Sequence, residues 1–316
     1  MPKKRDVLVD SDRKSTNNSI IEIICFTDPY CTWCWGSEPI LRKIQEVYAE
    51  QVKISYTMGG LVKDIGNFSD PANGIAGTQW YRQVADHWVE ASQQHKMPVD
   101  EQIFFEIKDD YRSTYPANIA FKASQFQGEA AATRYLRLLR SGAAAENRAI
   151  HRLEVQIEIA EEVGLNVERF VQDIQEGNAE QAFQEDLLAC RKRAVRGFPS
   201  YLLRGPEGEV MLRSFTTYEQ FEYWFEELVT EPLSHRTLQE SAAQIVDFVA
   251  RYGKVAPMEI AGVYGISIEA AQARLKSMAQ SGVLVEMKAG NGHLYSLPID
   301  AQGCDAETGS CSFPNS

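Results

Sequence analysis

The chain has 316 residues, which is long for one average domain and favours two. A hydrophobic fraction of 44% is typical of a globular protein with a substantial core, and six cysteines are too few for a secreted scaffold held together by disulfides. The formal net charge of −12 argues against general affinity for nucleic acids or anionic membranes.

The N-terminal stretch, residues 1–19, is polar and charged, and we expect a flexible tail there. The apolar stretch that follows contains Glu22 and is too short for a secretory signal, whose apolar core has about 7 to 15 residues. No run of about 18 apolar residues, as a membrane-spanning helix needs, occurs in the sequence. The sequence therefore predicts a cytoplasmic protein that makes no membrane contact.

A dithiol motif follows the first predicted strand. Residues 20–26 are apolar and β-branched, and an Asp-Pro pair beginning at Asp28 indicates that this short buried strand ends in a turn. A C-x-x-C motif, from Cys31 to Cys34, then begins an amphipathic helix. Because free amide groups at a helix N-terminus stabilise a thiolate, the pKa of Cys31 should fall below its usual value of about 8.5. We expect Cys31 to attack a disulfide and Cys34 to resolve the mixed disulfide.

The surroundings of the motif allow more than one interpretation. A C-x-x-C can be half of a zinc site, but no second cysteine pair or histidine pair follows at zinc-finger spacing, so redox chemistry is favoured and no metal is expected. Asp28 is placed to relay a proton to Cys34, although an Asp-Pro pair is also ordinary turn chemistry, and the turn is favoured. Trp33 and Trp35 are expected at an apolar rim around the thiols rather than in the core.

The remaining pattern predicts an α/β fold of thioredoxin type. Residues 52–57 alternate with period two, which predicts a strand parallel to the first across a helical crossover. Residues 61–196 show helical stripes and no convincing strand, so a large helical insertion is expected. The sheet resumes at residues 196–203, a turn at residues 205–208 predicts a hairpin with a strand over residues 209–213, and a closing helix follows.

The segment from Phe26 to Gly36, together with Gly-Phe-Pro-Ser at residues 197–200, resembles the DsbA family of thioredoxin-fold dithiol oxidoreductases. It is most similar to the cytoplasmic branch of FrnE-like proteins and predicted protein-disulfide isomerases, which residues 115–117 also resemble. The resemblance covers about residues 20–230, and we therefore expect a DsbA-like thioredoxin domain over residues 20–231.

The resemblance implies roles for individual residues. Cys31 would be the nucleophile, Cys34 the resolving thiol and Pro199 a cis proline, and the backbone of Phe198 would pair with an extended substrate peptide. We also expect three side chains on the substrate-binding surface: Trp33, Trp35 and Tyr115. The implied partners are thiols and disulfides of proteins or peptides. No cofactor is expected besides the redox-active dithiol, and glutathione stays open as a thiol partner.

A second domain is predicted over residues 232–300, where a helix, a helix–turn–helix and a β-hairpin resemble a small winged-helix α+β domain. Residues 235–298 contain six Lys or Arg and five Asp or Glu, whereas DNA-reading domains usually show a basic stripe. A protein-contact or homodimerisation module is therefore favoured over DNA binding. Residues 301–316 are expected to form a flexible tail, in which Cys304 and Cys311 are either idle or exchange electrons with the C-x-x-C motif.

These features predict a cytoplasmic thiol–disulfide oxidoreductase or protein-disulfide isomerase that acts through the dithiol and a cis-proline loop. There are two alternatives. One is a redox-sensing regulator in which the dithiol is the switch, and the other is a protein-interaction adapter that has lost catalysis. In both alternatives the winged-helix module is the output.

Overall fold

The structure is a computed structural model that describes residues 20–298. Over these residues the strands are β1 (Ile21–Thr27), β2 (Val52–Met58), β3 (Ser69–Asp70), β4 (Ile75–Ala76), β5 (Ser200–Gly205), β6 (Gly208–Arg213), β7 (Val285–Ala289) and β8 (Gly292–Ser296). One sheet contains four of them, in the order β2-β1-β5-β6. β1 runs parallel to β2 and antiparallel to β5, so the predicted parallel pair and the predicted hairpin of β5 and β6 are confirmed.

Helices make up most of the chain between these strands. In chain order they are α1 (Thr32–Gly36), α2 (Glu38–Tyr48), α3 (Trp80–His95), α4 (Ile103–Ile107), α5 (Tyr115–Gln125), α6 (Glu129–Ala145), α7 (Leu153–Glu162), α8 (Val167–Gln175), α9 (Asn178–Lys192) and α10 (Tyr218–Leu228). The predicted helical insertion between β2 and β5 therefore contains α3 to α9. It also contains the hairpin of β3 and β4, which the sequence does not reveal because strands of two residues show no alternation.

The helix predicted after the first strand is divided into α1 and α2. Ser37 separates them, and Pro39 stands in the first turn of α2. Proline has no amide hydrogen to donate to the preceding turn, so the hydrogen-bond ladder of α1 cannot continue through it. The apolar stripe of α2 is nevertheless buried as predicted, with Leu41 and Ile44 at most 1% exposed.

The last part of the chain forms a smaller unit with its own apolar core, which we call the C-terminal module (residues 242–298). It consists of α11 (Ala242–Tyr252), α12 (Pro257–Tyr264), α13 (Ile268–Gln280) and the β7–β8 hairpin. The first helix begins at Ala242 because the Ser241 hydroxyl accepts a hydrogen bond from the Gln244 amide and caps it. The order of elements agrees with the expected one, and the name winged helix stays a prediction.

The C-terminal module packs on the rest of the chain through α12, which lies against α2, and through the turn of its hairpin. The Asn291 amide donates to the Val99 carbonyl at 2.8 Å, and the Val99 amide donates back to Asn291 Oδ1 at 2.9 Å. Gly290 has φ +50°, and a Cβ there would lie 2.0 Å from the Val99 oxygen. This close approach therefore needs glycine, and it holds the hairpin turn against the insertion.

Within residues 20–298, no helix combines the length and the apolar character that crossing a bilayer needs. The predicted N-terminal tail and the tail with Cys304 and Cys311 lie outside the described residues.

Candidate functional site

The C-x-x-C motif lies where β1 ends and α1 begins, as predicted. Cys31 is the N-cap of α1: its amide donates to the Asp28 carbonyl at 3.1 Å, and its sulfur accepts a hydrogen bond from the Cys34 amide at 3.3 Å. Both cysteines are free thiols, and their side chains are only 6% and 1% exposed. A protein disulfide therefore has little direct access to either sulfur in this conformation.

The electrostatics of the two thiols differ from the expectation. Burial raises the pKa of Cys31 well above its ordinary value, and its hydrogen bond to Cys34 raises it further. Burial also opposes ionisation of Cys34, but the Cys31 thiol, the Arg140 charge and the Thr27 hydroxyl outweigh it and lower the pKa of Cys34. The lowered pKa predicted for Cys31 is thus wrong. The reason is that Cys31 is buried and donates towards Cys34, whose ionised form the Arg140 charge stabilises.

The chain brings the loop before β5 to the dithiol. The peptide bond between Phe198 and Pro199 is cis, and the Cys31 thiol donates to the Phe198 carbonyl at 3.4 Å. The Phe198 ring covers Gly59, where a Cβ would lie 1.8 Å from the ring carbon Cζ. Three of the predicted site residues therefore meet in space, although the loop lies 167 positions beyond Cys31.

The two tryptophans of the motif have different environments. Trp33 is half-buried, and its ring centroid lies 5.6 Å from that of Phe215 and 5.8 Å from that of His95. Trp35 is 1% exposed, and its indole nitrogen donates to the Pro98 carbonyl at 2.8 Å. The prediction that Trp35 lies on the rim is therefore wrong. Side chains two residues apart on a helix point in directions that differ by about 200°, so the two rings face opposite sides of α1.

Asp28 is fully buried and organises the turn before the dithiol. Its carboxylate accepts hydrogen bonds from the Tyr30 amide (2.9 Å), the Leu61 amide (2.7 Å), the Thr114 hydroxyl (2.8 Å) and the Asn118 side chain (2.8 Å). The first of these is the predicted turn. The other three attach the end of β1 to the helical insertion, which gives Asp28 a structural role that no local pattern could indicate.

Tyr115, predicted to bind substrate, packs inside the insertion. It is the first residue of α5, and its ring lies edge-on to Phe183 of α9 at 4.9 Å between centroids. It also approaches Gly60, where a Cβ would lie 2.7 Å from its ring. These contacts fix α5 and α9 against the end of β2, so a substrate-binding role for Tyr115 stays a prediction.

His95 packs against α1, the helix that begins at the dithiol, and the sequence analysis did not identify it. Its Nδ1 accepts a hydrogen bond from the Met97 amide at 3.1 Å, which leaves the proton on Nε2, 3.3 Å from the Thr32 hydroxyl. Burial lowers the pKa of His95 to about 4. Gly36 makes room for the ring, since a Cβ there would lie 2.4 Å from His95 Cγ. No ligand spacing or periodicity marks this histidine in the sequence.

A buried network of charges lies under the dithiol. Arg140 donates to the Thr27 hydroxyl and to the Glu38 carboxylate, and Glu38 also pairs with Arg42 at 2.9 Å. Burial alone would raise the pKa of Glu38, but the neighbouring arginines hold it at about 2. On the same helix as Arg140, Arg137 stacks on Trp35 with its guanidinium carbon 4.3 Å from the ring centroid. The sequence offered no signal for this network.

A depression next to the loop before β5 opens to solvent. It has a volume of about 540 Å³, and we call it the cis-proline groove. Its lining residues are Ala194, Arg196, Gly197, Phe198, Ser200, Arg213 and Ser214. Phe198 lines this groove, and its carbonyl accepts the hydrogen bond from Cys31, so the groove and the dithiol share this residue.

Comparisons with known proteins bear on both parts of the chain. A family model described as Thioredoxin matches residues 24–222. The ClpXP adapter protein SpxH of Halalkalibacterium halodurans is 26% identical over 282 residues, which is 89% of this chain and 90% of that protein.

Two solved structures share the fold over about two thirds of the chain. The cytosolic disulfide reductase DsbM of Pseudomonas aeruginosa superposes with a TM-score of 0.51 at 20% identity, over 66% of this chain and 98% of its own. A probable DsbA oxidoreductase from Streptomyces coelicolor does so with a TM-score of 0.51 at 15% identity, over 70% of this chain and 95% of its own. The predicted DsbA-like thioredoxin fold with a helical insertion is thereby confirmed.

The relatives overturn the main functional prediction. The expectation was a thiol–disulfide oxidoreductase or isomerase, but curated relatives that match most of the chain are named as adapter proteins. The earlier alternative of a protein-interaction adapter agrees better with this finding. The physical reason for the error is that a C-x-x-C motif at a helix start identifies a fold, whereas reactivity depends on exposure and pKa, which the tertiary structure sets.

Proposed function

We propose that this chain, which belongs to the thioredoxin family, works in the cytoplasm as an adapter that presents a client protein to the ClpXP protease. The observation that carries the proposal is coverage. The adapter relative aligns with 89% of the chain, whereas the reductase and oxidoreductase structures span 66% and 70% of it. An adapter function therefore accounts for the C-terminal module, which dithiol chemistry does not require.

The state of the thiols supports the same proposal. Cys31 is 6% exposed and burial raises its pKa, so it is a poor nucleophile at neutral pH. An adapter needs surfaces rather than electron transfer. The thioredoxin part then supplies a scaffold for client binding at the cis-proline groove, where a peptide can reach Phe198 and the half-buried Trp33.

The docking of the C-terminal module supports protein contact rather than DNA binding. The hairpin turn at Asn291 is hydrogen-bonded to Val99 of the insertion and is therefore not free to enter a DNA groove. A partner protein can therefore contact the C-terminal module and the thioredoxin-family residues 24–222 at the same time. A second copy of the chain as that partner stays a prediction.

The adapter function is testable with purified components. Proteins that accumulate when the gene is deleted and fall again on complementation are candidate clients, and each is then incubated with ClpXP with and without the full chain. We expect the chain to accelerate degradation of at least one client about tenfold. The double variant Cys31→Ser/Cys34→Ser should accelerate it equally, because presentation needs no thiol. Loss of acceleration in this variant, or no client that depends on the chain, would reject the proposal.

A further inference from the structure

The cis-proline groove is positively charged. Arg196 lies on the loop before the cis proline and Arg213 at the end of β6, and both line the groove, which has no acidic lining residue among those described. Arg191 and Lys192 are exposed at the end of α9, a few positions earlier in the chain. The whole chain has a formal charge of −12. The groove is therefore a local cationic region on an acidic protein.

The carboxylate of Glu209, on the strand that contains Arg213, does not neutralise this charge. Glu209 on β6 pairs with Arg193 and, at 3.1 Å, with Arg204, so its charge is already balanced. Arg213 donates from Nη1 to the Ala194 carbonyl at 2.8 Å and from Nη2 to the Arg193 carbonyl at 3.4 Å. Within residues 20–298, neither Arg213 nor Arg196 forms an ion pair. No described carboxylate therefore pairs with either guanidinium charge of the groove.

The backbone on both sides of the groove is held in an unusual conformation. Ala194 has φ +50° and Ser214 has φ +74°, and neither residue is glycine. The Arg213 Nη1 donates to the Ala194 carbonyl at 2.8 Å and so joins the two sides. Left-handed backbone at non-glycine residues costs energy and tends to occur at binding sites. Arg213 is therefore positioned by the loop rather than mobile on the surface.

An apolar surface adjoins the charged one. Phe215 follows the groove residue Ser214, and its ring lies 5.6 Å from that of Trp33, with both rings half-buried. A partner that fits here therefore carries negative charge next to an apolar side chain. A second, larger depression of about 650 Å³, between the insertion and α13, has a mixed lining, with Lys96 and Lys276 as well as Glu269.

We propose that the cis-proline groove binds an acidic, extended segment of a client protein, whose carboxylates pair with Arg196 and Arg213 and whose apolar side chain packs on Trp33 and Phe215. This inference rests on the proposed adapter function and names the chemistry of its client. Guanidinium groups form strong charge-assisted hydrogen bonds with carboxylates, so each of the two arginines favours an acidic side chain of the client. A nucleic acid would need a longer row of cations to neutralise its phosphates.

The test measures peptide binding to the full chain by fluorescence anisotropy. The probe is a labelled peptide of alternating Glu and Val with a central Phe, and its matched control has Gln in place of every Glu. We expect the acidic peptide to bind about tenfold more tightly than the Gln peptide, with affinity falling as ionic strength rises. Arg196→Glu should lower the affinity for the acidic peptide about tenfold or more. The matched control is Arg134→Glu on α6, an exposed residue outside the groove lining, which should leave it unchanged.

The outcomes separate this inference from the adapter function. Equal binding of both peptides, no effect of Arg196→Glu, or tighter binding of a single-stranded oligonucleotide than of the acidic peptide would overturn the inference. If Arg196→Glu still delivers the client to ClpXP at the normal rate, the groove inference fails while the adapter function stands. If the acidic peptide binds as expected but no client depends on the chain, the adapter function fails and the groove stands. Arg213→Lys, which keeps the charge, should reduce acidic-peptide binding less than Arg196→Glu does.

Discussion

Arg137 and Glu259 form a buried ion pair between the two parts of the molecule. The guanidinium Nη2 lies 2.8 Å from the carboxylate Oε2, and the two side chains are 3% and 0% exposed. The same guanidinium stacks on Trp35 and donates to the Lys254 carbonyl. One side chain thus joins the dithiol helix to the C-terminal module.

Removing the arginine should destabilise the fold strongly, because it leaves Glu259 buried without its partner. We expect Arg137→Met to lower the free energy of unfolding by about 3 kcal/mol in denaturant titrations. Arg137→Met/Glu259→Leu should recover part of this loss, since apolar groups then replace the whole pair. The control is Arg251→Gln, which breaks the ion pair between Arg251 and Glu46. Because the Arg251 side chain is 54% exposed, this change should lower the free energy of unfolding by less than about 1 kcal/mol. A loss that small for Arg137→Met would contradict the structural role of the pair.

Gly290 tests the docking of the hairpin turn. Gly290→Ala should expose the C-terminal module to limited proteolysis and destabilise the chain, because the added Cβ would lie 2.0 Å from the Val99 oxygen. Gly265→Ala is the matched control, since Gly265 also has positive φ (+67°) but nothing lies within 4 Å of the added atom. Gly265→Ala should lower the free energy of unfolding by only about 1–2 kcal/mol, which is the cost of left-handed backbone for a residue with a Cβ. Similar losses for both variants would show that the turn does not need the close contact.

His95 makes stability depend on pH in a defined range. Its pKa falls from an ordinary 6.5 to about 4 in the folded chain, so the unfolded chain binds more protons between these values. The stabilisation from the neutral ring is complete above about pH 6.5 and is lost as the pH falls towards 4, by about 3 kcal/mol in total. We expect unfolding titrations of His95→Gln to show a correspondingly shallower fall in this range. If the free energy of unfolding fell equally steeply with pH in the two proteins, His95 would not be the source of the pH dependence.

Cys31 should react slowly. Because burial raises its pKa, the thiolate fraction at neutral pH is small, and iodoacetamide should modify Cys31 at least about tenfold more slowly in the folded chain than in urea. Mass spectrometry of the alkylated peptides measures both rates. Faster alkylation in the folded chain would restore the activated nucleophile that the sequence predicts.

Even a conservative change at Asp28 should destabilise the fold. In Asp28→Asn an NH₂ group replaces one oxygen and faces donors, such as the Leu61 amide, that need an acceptor. We expect thermal unfolding to show a loss of about 1–3 kcal/mol. Asp64→Asn is the control: this exposed carboxylate accepts from the Gly66 amide, and its change should stay within about 0.5 kcal/mol. A mild effect at Asp28 would indicate that water can replace its partners.

Local patterns predicted most of the architecture. The alternation in β2 and the buried stripe of α2 both appear where the sequence indicates them, because each depends on residues a few positions apart. The dithiol at the strand-to-helix junction and its neighbour Phe198 could also be found in advance, the first from a short motif and the second from a family resemblance.

The sequence by itself determined the main elements of the sheet, their order and the positions of Cys31 and Cys34, but not the short β3–β4 hairpin. The tertiary structure alone decided what these residues can do. Whether Trp35 faces solvent or core, whether a carboxylate pairs with Arg137, and whether burial or a helix terminus sets the pKa of Cys31 depend on atoms brought together from distant parts of the chain. Periodicity encodes which face of an element is apolar, but desolvation and charge pairing are properties of the assembled interior, and they set the exposure and the pKa of the two thiols.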